Sequence, residues 1–385
     1  MIATHELQEL AQFWAPESDA LTFYLGHGVA RELAHREDPV LAKEKIHDVF
    51  RGVQAASKHM RADLARLIEV ASSMKGYRPL SKIVFACASK DLWREYDLPG
   101  SFPVQLSAGQ AFSLLPVFAA EEESTRYCIA LADRNHARLL ILQSGQVTEH
   151  SSALDEEKGW LRTTGTGGSV HQERQVEERV HQHYKFLADH LLHFHEHGDY
   201  DALLIGCRSE MWPEIEEPLH PELKRILIGQ FHIDPGLASP QEVQEKAEAL
   251  VSQKSGEEER GMLELAAGEA ARDGLGALGL PAVATSLEKG EVLTLLLSLE
   301  AAHGPSPAGI CVNCAHIQLG DASRCELCDQ KVHVFPSAAE ALLRPAIDSE
   351  VKVRVLRTAK LPRPADAAAI LRFRSDRSTA QALAS

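Results

Sequence analysis

The stretch W-L-R-T-T-G-T-G-G-S at residues 160–169 places Gly165, Gly167 and Gly168 within four positions. Glycine has no Cβ, so such a loop adopts left-handed conformations readily and lets its backbone approach another molecule closely. Beyond the loop, six apolar residues recur at spacings of four, four, three, four and three: Val176, Val180, Tyr184, Leu187, Leu191 and Phe194. This period predicts one helix of about 25 residues that packs along a single face. A glycine tip on such a helix is suited to reach something outside its own core.

Other uses of a glycine cluster are less consistent with the sequence. Many such clusters are only flexible connections. No Gly-Lys-Ser/Thr follows the glycines, which argues against a phosphate-binding P-loop. No strand pattern runs directly into them, which argues against a dinucleotide-binding turn. The patterns on either side of the loop must therefore indicate what it does.

The length and charge of the chain limit the number of domains and the kinds of binding partner that we expect. With 385 residues and a formal net charge of −15, we expect two or three domains, each with its own core. The acidic balance argues against a protein that coats nucleic acid by bulk electrostatics, so any RNA contact has to be local and basic. We find no apolar run of about 18 residues and no secretory pattern at the N-terminus, so we expect a cytoplasmic protein without a membrane span.

Alternating helix and strand patterns predict three α/β domains, with bounds at 1–122, 123–237 and 238–385. The central one is expected to be a mixed sheet, because a three-strand meander precedes the glycine loop, the long helix and a further strand. We also expect a helix over about 213–229 and a break or a solvated face within the charged segment 240–273. The predicted strands of all three domains are at 21–25, 83–88, 128–132, 137–142, 146–151, 201–207, 231–233, 291–299, 351–356 and 369–373, of which 128–132, 137–142 and 146–151 form the meander.

Four of the seven cysteines form two pairs, Cys311-x2-Cys314 and Cys325-x2-Cys328, with ten residues between the pairs. Each pair can hold one edge of a tetrahedral Zn2+ site, and four thiolates leave no open position for a substrate. Disulfides are the alternative, but the expected compartment argues against them. The C-terminal domain is therefore predicted to contain a zinc-knuckle insertion with a structural Zn2+.

Two further stretches stand out by charge and composition. Residues 351–377 carry eight Lys and Arg against two Asp, and they either face solvent or contact a polyanion, with Arg354, Arg357 and Lys360 as candidate RNA-binding residues. Seven of the 19 histidines lie between His171 and His197. No carboxylate or cysteine constellation supports a metal site there. Exposed histidines are more often simply solvated, and a surface that contacts RNA through imidazole and Arg is favoured over a metal site.

The order of these parts resembles a known family. The meander begins A-L-A-D-R-N-H-A-R-L-L-I-L at 130–142, and the third domain carries L-E-K-G-E-V-L-T-L-L-L-S at 287–298 ahead of the cysteine insertion. With the glycine loop and long helix between them, they resemble archaeal and eukaryotic class-1 release factors and Pelota. The stretch F-A-C-A-S-K-D-L-W-R-E-Y-D-L-P at 85–99 is similar to their bacterial branch, which includes Balon-like ribosome hibernation factors.

The resemblance implies a ligand of the ribosomal A site. Release factors carry G-G-Q at the loop tip, where the glutamine helps to position water for hydrolysis of the peptidyl-tRNA ester. Here Gly167 and Gly168 are followed by Ser169, and Gln172 and Gln175 lie too far along the chain to replace the glutamine. Residues 1–120 also lack the Asn-Ile-Lys-Ser motif that reads stop codons. Both departures favour a Pelota-like or hibernation role over termination.

We therefore expect a non-catalytic translation factor that acts on idle or stalled ribosomes, in hibernation or rescue. Its expected contacts with rRNA at the tip are Gly165, Thr166, Gly167, Gly168, Ser169, His171 and Arg174. The resemblance also implies a translational GTPase partner, elongation factor Tu in bacteria, and we expect a monomer off the ribosome. The alternative is a peptidyl-tRNA hydrolase with a divergent tip, although Ser169 has no evident base partner in the sequence. A nuclease is a third interpretation that lacks a visible carboxylate cluster.

Overall fold

The computed structural model describes residues 2–15, 19–26, 44, 47, 58–73, 81–98, 104–122, 125–150, 169–298, 306–361 and 366–375. The chain divides into two compact units, one formed by 1–122 together with 256–385 and the other by 123–255. Helices and strands alternate in both, so the predicted α/β class is confirmed. Among the described helices, none combines the length and apolar character that crossing a membrane requires.

The first segment of the larger unit builds a four-stranded antiparallel sheet of order β3-β2-β1-β4. Alternate residues of β1 point to opposite faces, so Phe23 packs against Leu64 on one face while Tyr24 joins Phe85 on the other. Both faces of the sheet are buried at these positions, as the prediction of buried strands requires. The elements are α1 (Thr4–Gln12), β1 (Ala20–Gly26), α2 (Lys58–Ser73), β2 (Ser81–Cys87), β3 (Leu92–Leu98), β4 (Gln105–Gly109) and α3 (Leu115–Glu122).

The smaller unit contains the predicted mixed sheet, of order β7-β6-β5-β8-β9. The meander β5 to β7 is antiparallel, while β5, β8 and β9 run parallel to one another. Helix α4 makes the crossover from β7 to β8. The elements are β5 (Tyr127–Ala132), β6 (Ala137–Gln143), β7 (Gln146–Glu149), α4 (Ser169–Glu196), β8 (Ala202–Cys207), α5 (Trp212–Glu216), α6 (Pro221–Ile226), β9 (Leu227–His232) and α7 (Pro240–Ala271), whose second half belongs to the larger unit.

Two predictions for this region were wrong. The helix expected over 213–229 is two short helices, α5 and α6, because His220 caps a new helix that begins at Pro221. The following residues extend into β9, so the strand predicted at 231–233 begins instead at Leu227. Within 240–273, the second of the two expected alternatives agrees with the structure: α7 continues through Gly256 without a break, and Gln253, Glu257 and Glu258 are exposed. A Cβ at Gly256 would lie 3.0 Å from Thr358 Oγ1, so glycine permits close packing there.

The C-terminal segment completes the larger unit with two further sheets. One has the order β10-β16-β11-β15, and the other, β13-β12-β14, is the predicted insertion between β11 and α9. The long apolar run in β11 is buried, as expected for a strand at the centre of a sheet. The elements are β10 (Gly276–Leu278), α8 (Leu280–Glu288), β11 (Val292–Ser298), β12 (Ala308–Cys311), β13 (Ile317–Leu319), β14 (Val332–Phe335), α9 (Ala338–Asp348), β15 (Lys352–Leu356) and β16 (Ala367–Leu371).

The two segments of the larger unit share one hydrophobic core. Leu10 of α1 and Phe85 of β2 belong to the same buried cluster as Leu297 of β11 and Leu342 of α9. The sequence pattern assigned these segments to separate first and third domains, because periodicity does not reveal which distant segments meet. The division at 122/123 matches a predicted boundary, whereas the second division falls at 255/256, inside α7, rather than at 237/238.

Candidate metal centre and candidate RNA-contact residues

The glycine tip adjoins the N-terminus of α4. Gly165, Thr166, Gly167 and Gly168 lie outside the described residues, and Ser169 is the first residue of the helix. The backbone of His171 and Arg174 belongs to the first turns of α4, where no side chains are described. The structure therefore places the helix directly after the glycines.

Helix α4 packs through the stripe that its sequence predicted. Val180, Tyr184, Leu187 and Leu191 are buried against the sheet, in a cluster with residues of β5 and β8. Val176 differs, because 48% of its surface is exposed, and residues 177–179 are exposed as well. Core contacts of the stripe thus begin at Val180. The 11 residues from Ser169 to Arg179 correspond to about 16 Å of helix, given a rise of about 1.5 Å per residue.

The four predicted metal ligands come together. The Sγ atoms of Cys311, Cys314, Cys325 and Cys328 all lie within 4.8 Å of one another. Three of the separations between sulfurs are 3.4 Å, 3.5 Å and 3.6 Å. Four thiolates about 2.3 Å from a tetrahedral Zn2+ would lie about 3.8 Å apart. The donor set and its dimensions therefore fit a four-coordinate metal ion with no open position.

The two cysteine pairs adopt the same turn. Ala315 and Asp329 each follow a second cysteine, and their φ angles are 57° and 58°. Their N–H groups donate to Cys311 O at 3.1 Å and Cys325 O at 2.9 Å. A left-handed residue at this point folds the chain back, and the two Sγ atoms of each pair lie within 4.8 Å of each other. Such repeated geometry is what a metal knuckle needs.

The backbone around the site also favours the thiolate form of a cysteine. A hydrogen bond from the backbone of Cys314 lowers the pKa of Cys311 to about 6. For Cys314, a backbone hydrogen bond from His316 acts to lower the pKa, but burial and the neighbouring thiols outweigh it and raise the pKa to about 12, so the first thiolate forms at Cys311. The N–H of Asn313 also donates to Cys311 Sγ, at 3.4 Å. Since a metal binds the thiolate and not the thiol, these donors support the ligand role.

The two nearby histidines are engaged elsewhere. His316 lies between Glu288 and Glu326, with its two ring nitrogens at 2.9 Å and 2.8 Å from their carboxylates. His333 stacks on Trp14, with ring centroids 3.7 Å apart. Neither residue joins the metal-ligand group found among the described residues, which consists of the four cysteines. Both histidines were surplus to the predicted ligand set.

The predicted basic segment is largely engaged in structural contacts. Arg354 lies 3.8 Å from Glu258, and the Arg357 guanidinium donates to the carbonyl oxygen of Ala119. Lys360 is exposed at the end of the segment. Of the three candidate RNA-binding residues, Lys360 is therefore best placed to meet another molecule.

A carboxylate that the sequence analysis missed holds this segment in place. Glu259, on α7, is only 3% exposed. It accepts hydrogen bonds from the backbone N–H groups of Arg357, Thr358 and Ala359 and from the Thr358 hydroxyl. In the sequence it is one of three consecutive glutamates, and periodicity does not distinguish it from its exposed neighbours.

Comparisons with known proteins agree with the resemblance seen in the motifs. Residues 113–251 match the family model described as bacterial archaeo-eukaryotic release factor family 10. No curated protein is similar enough to count as a match.

Three similar solved structures cover much of the chain. The archaeal translation termination factor aRF1 is 16% identical, over 97% of this chain and 99% of its own, with a TM-score of 0.24. Ribosome-bound archaeal Pelota, described together with ABCE1, is 15% identical over 76% and 78%, with a TM-score of 0.41. Dom34 of S. cerevisiae is 14% identical over 76% and 79%, also with a TM-score of 0.41. The expected resemblance is confirmed by the family match: over residues 113–251, this chain is similar to the bacterial branch of the archaeal and eukaryotic release factors.

Proposed function

We propose that this chain is a ribosome-binding translation factor of the release-factor and Pelota type. It occupies the A site of idle or stalled ribosomes, in hibernation or rescue, and leaves peptidyl-tRNA intact. The observation that carries the proposal is the family match over 113–251, combined with Ser169 at the position that follows Gly167-Gly168.

The residue at this position is the reason for proposing a non-catalytic role. A glutamine amide has both a donor and an acceptor at the end of a flexible side chain, which is what positioning a water requires. A serine hydroxyl is shorter, and it becomes a nucleophile only when a base lies within hydrogen-bond reach. Because Ser169 starts α4 directly after the glycines, the tip combines a close backbone approach with little catalytic capacity.

The proposed partners follow the family likeness. Among the similar structures, archaeal Pelota is described as ribosome-bound together with ABCE1, and Dom34 as interacting with Hbs1. For this chain we propose rRNA of the A site as the main contact and a translational GTPase as partner, elongation factor Tu in bacteria. The factor acts in the cytoplasm as a monomer when off the ribosome. Its four-cysteine centre holds Zn2+ in a closed, structural role.

Two measurements test the proposal together. Tagged protein is sedimented with ribosomes from growing and starved cells, and we expect it to travel with the ribosomes. The same protein is then added to ribosomes that carry labelled peptidyl-tRNA in the P site, with a G-G-Q release factor as the positive control. We expect no peptide release above background, while the protein remains bound. Failure to sediment with either ribosome sample would contradict the proposal.

The second candidate function is a peptidyl-tRNA hydrolase. The three glycines at the tip favour it, since they allow the close approach that such chemistry also needs. Peptide release by the wild-type protein that is lost in Ser169→Ala would support the hydrolase and overturn the non-catalytic proposal.

A further inference from the structure

Helix α4 carries a second stripe, on a face separate from its buried one. Its members recur at spacings of three, four, four, three and four, so they share one side of the helix. We call this set the α4 stripe, and it consists of Arg179, Gln182, Phe186, His190 and His193 of α4 together with His197, which directly follows the last helical residue, Glu196. His190 is half-buried, and the other five are exposed. Phe186, which is 37% exposed, is a large apolar side chain on this solvent-facing side.

The rings of the α4 stripe lie close to one another. The ring centroids of Phe186 and His190 are 5.7 Å apart, and those of His193 and His197 are 4.1 Å apart. Nδ1 of His197 lies 2.7 Å from the carbonyl oxygen of His193. A carbonyl oxygen only accepts, so Nδ1 carries a proton. The stripe thus presents two pairs of neighbouring flat rings.

The composition of the α4 stripe favours a nucleic acid over a protein. It contains no carboxylate, although the chain as a whole has a formal net charge of −15. Glu177, Glu178, Asp189 and Glu196 are exposed acidic residues of the same helix outside the stripe. Glu178 accepts a hydrogen bond from Gln182 Nε2 at 3.3 Å, and Lys185 partly offsets the acidic charge. Protein interfaces need an apolar centre, and Phe186 alone supplies little apolar area. Unstacked bases, in contrast, stack on Phe and His rings and bond to amide and guanidinium groups.

We infer that the α4 stripe is an RNA-contact surface on which unpaired bases stack. Arg179 and Gln182 supply polar contacts to the same strand, while the rings of Phe186 and of the three histidines supply the faces for stacking. The identity of the RNA as ribosomal rests on the proposed function.

The test uses the full-length protein and two variants of the stripe. One variant combines His190→Ala, His193→Ala and His197→Ala, and the other is Phe186→Ser. The matched control combines His5→Ala and His59→Ala, which removes exposed imidazoles from the larger unit. Circular dichroism and thermal unfolding establish that all three variants remain folded. The probes are fluorescein-labelled 12-nucleotide oligo-uridine and oligo-adenine RNAs, with labelled heparin as a polyanion that has no bases.

We expect each stripe variant to bind both RNAs about tenfold more weakly, because removing a ring removes the stacking of at least one base. The control should bind RNA like the wild type, and heparin binding should change little in any variant. Ultraviolet crosslinks to RNA should map to residues 179–197. Unchanged RNA affinity in both stripe variants would overturn the inference, as would an equal loss of heparin binding, which would indicate charge alone.

Sedimentation with ribosomes separates this inference from the proposed function. Stripe variants that lose ribosome binding but keep their affinity for RNA would show that the α4 stripe contacts a ribosomal protein. This outcome would also overturn the inference. Wild-type protein that binds RNA through the stripe but never sediments with ribosomes would contradict the proposed function. The inference that the stripe binds RNA would still hold in that case.

Discussion

The carboxylate of Glu340 in α9 accepts a hydrogen bond from the backbone N–H of Leu114 at 3.0 Å, across 226 positions of the chain. It also accepts from the N–H of Leu115 at 3.0 Å and from the Ser113 hydroxyl at 2.8 Å. Leu115 is the first residue of α3, where backbone N–H groups have no partner inside the helix. A residue from the C-terminal segment therefore caps a helix of the N-terminal segment, with a charge that suits the helix dipole.

We predict that Glu340→Ala strongly destabilises the larger unit. The change leaves buried N–H groups unpaired, and it removes the nearby negative charge from Arg344, which is itself buried and donates to the carbonyl oxygens of Leu10 and Ala11. Each buried N–H group that is left without a hydrogen-bond partner costs about 1–3 kcal/mol. Urea unfolding at pH 7 measures the loss, with the exposed Glu264→Ala as the control. Equal stability of the two variants would show that the cap contributes nothing.

We predict that the purified protein contains about one Zn2+ per chain. Cys325→Ser should abolish stoichiometric metal binding and lower the melting temperature, because the turn that contains Asp329 loses its ligand. Elemental analysis and thermal unfolding are the measurements. Val312→Ala, an exposed residue between two ligands, is the control and should keep its metal. Metal-free protein with full thermal stability would contradict a structural metal.

We predict that the stabilising effect of Glu259 depends on pH. Burial acts to raise its pKa, but the donors from Ala359, Thr358 and Arg357 outweigh burial and lower the pKa below its usual range. The contribution is therefore present above the unfolded value of 4.5 and is lost as the pH falls through the lower folded value. Urea unfolding of the wild type and Glu259→Gln should differ clearly at pH 7. The difference should shrink as the pH drops below 4.5; a constant difference would exclude this linkage.

Two basic residues of the C-terminal segment should behave differently when their charge is reversed. Arg357→Glu should lower the melting temperature, since the guanidinium donates to Ala119 O inside the larger unit. Lys360→Glu should leave the fold intact but weaken ribosome binding and reduce its salt slope by about one. Thermal unfolding and sedimentation at several salt concentrations distinguish the two effects. Ribosome binding by Lys360→Glu that equals the wild type at every salt concentration would exclude this residue as a contact.

At the glycine tip, Gly167→Val and Gly168→Val should reduce ribosome binding, because a branched side chain adds bulk and restricts the backbone where close approach is needed. Ser169→Ala should bind ribosomes like the wild type, since the proposed role does not use the hydroxyl. Sedimentation gives the binding, and circular dichroism confirms that α4 persists. If Ser169→Ala lost as much ribosome binding as the glycine variants, the proposal that the tip binds through its glycine backbone and not through the Ser169 hydroxyl would be contradicted.

Local patterns in the sequence were sufficient for several parts of the protein. The helical period predicted α4 and its buried stripe from Val180 to Leu191, and only Val176 departed from it. Short strands joined by turn residues predicted the mixed sheet. The spacing of the four cysteines predicted the group that the structure assembles. These features could be predicted because period and spacing are local properties, determined by backbone geometry within a few turns of chain.

Tertiary structure alone decided which polar groups meet across the chain. Glu340 caps α3, and Glu259 rather than its glutamate neighbours holds residues 357–359. Arg357 is engaged within the fold, although the sequence presented it only as part of a basic stretch. The same holds for the single core shared by the first and last segments. A buried charge must find partners, and which partners reach it depends on how distant segments pack, information that no local period contains.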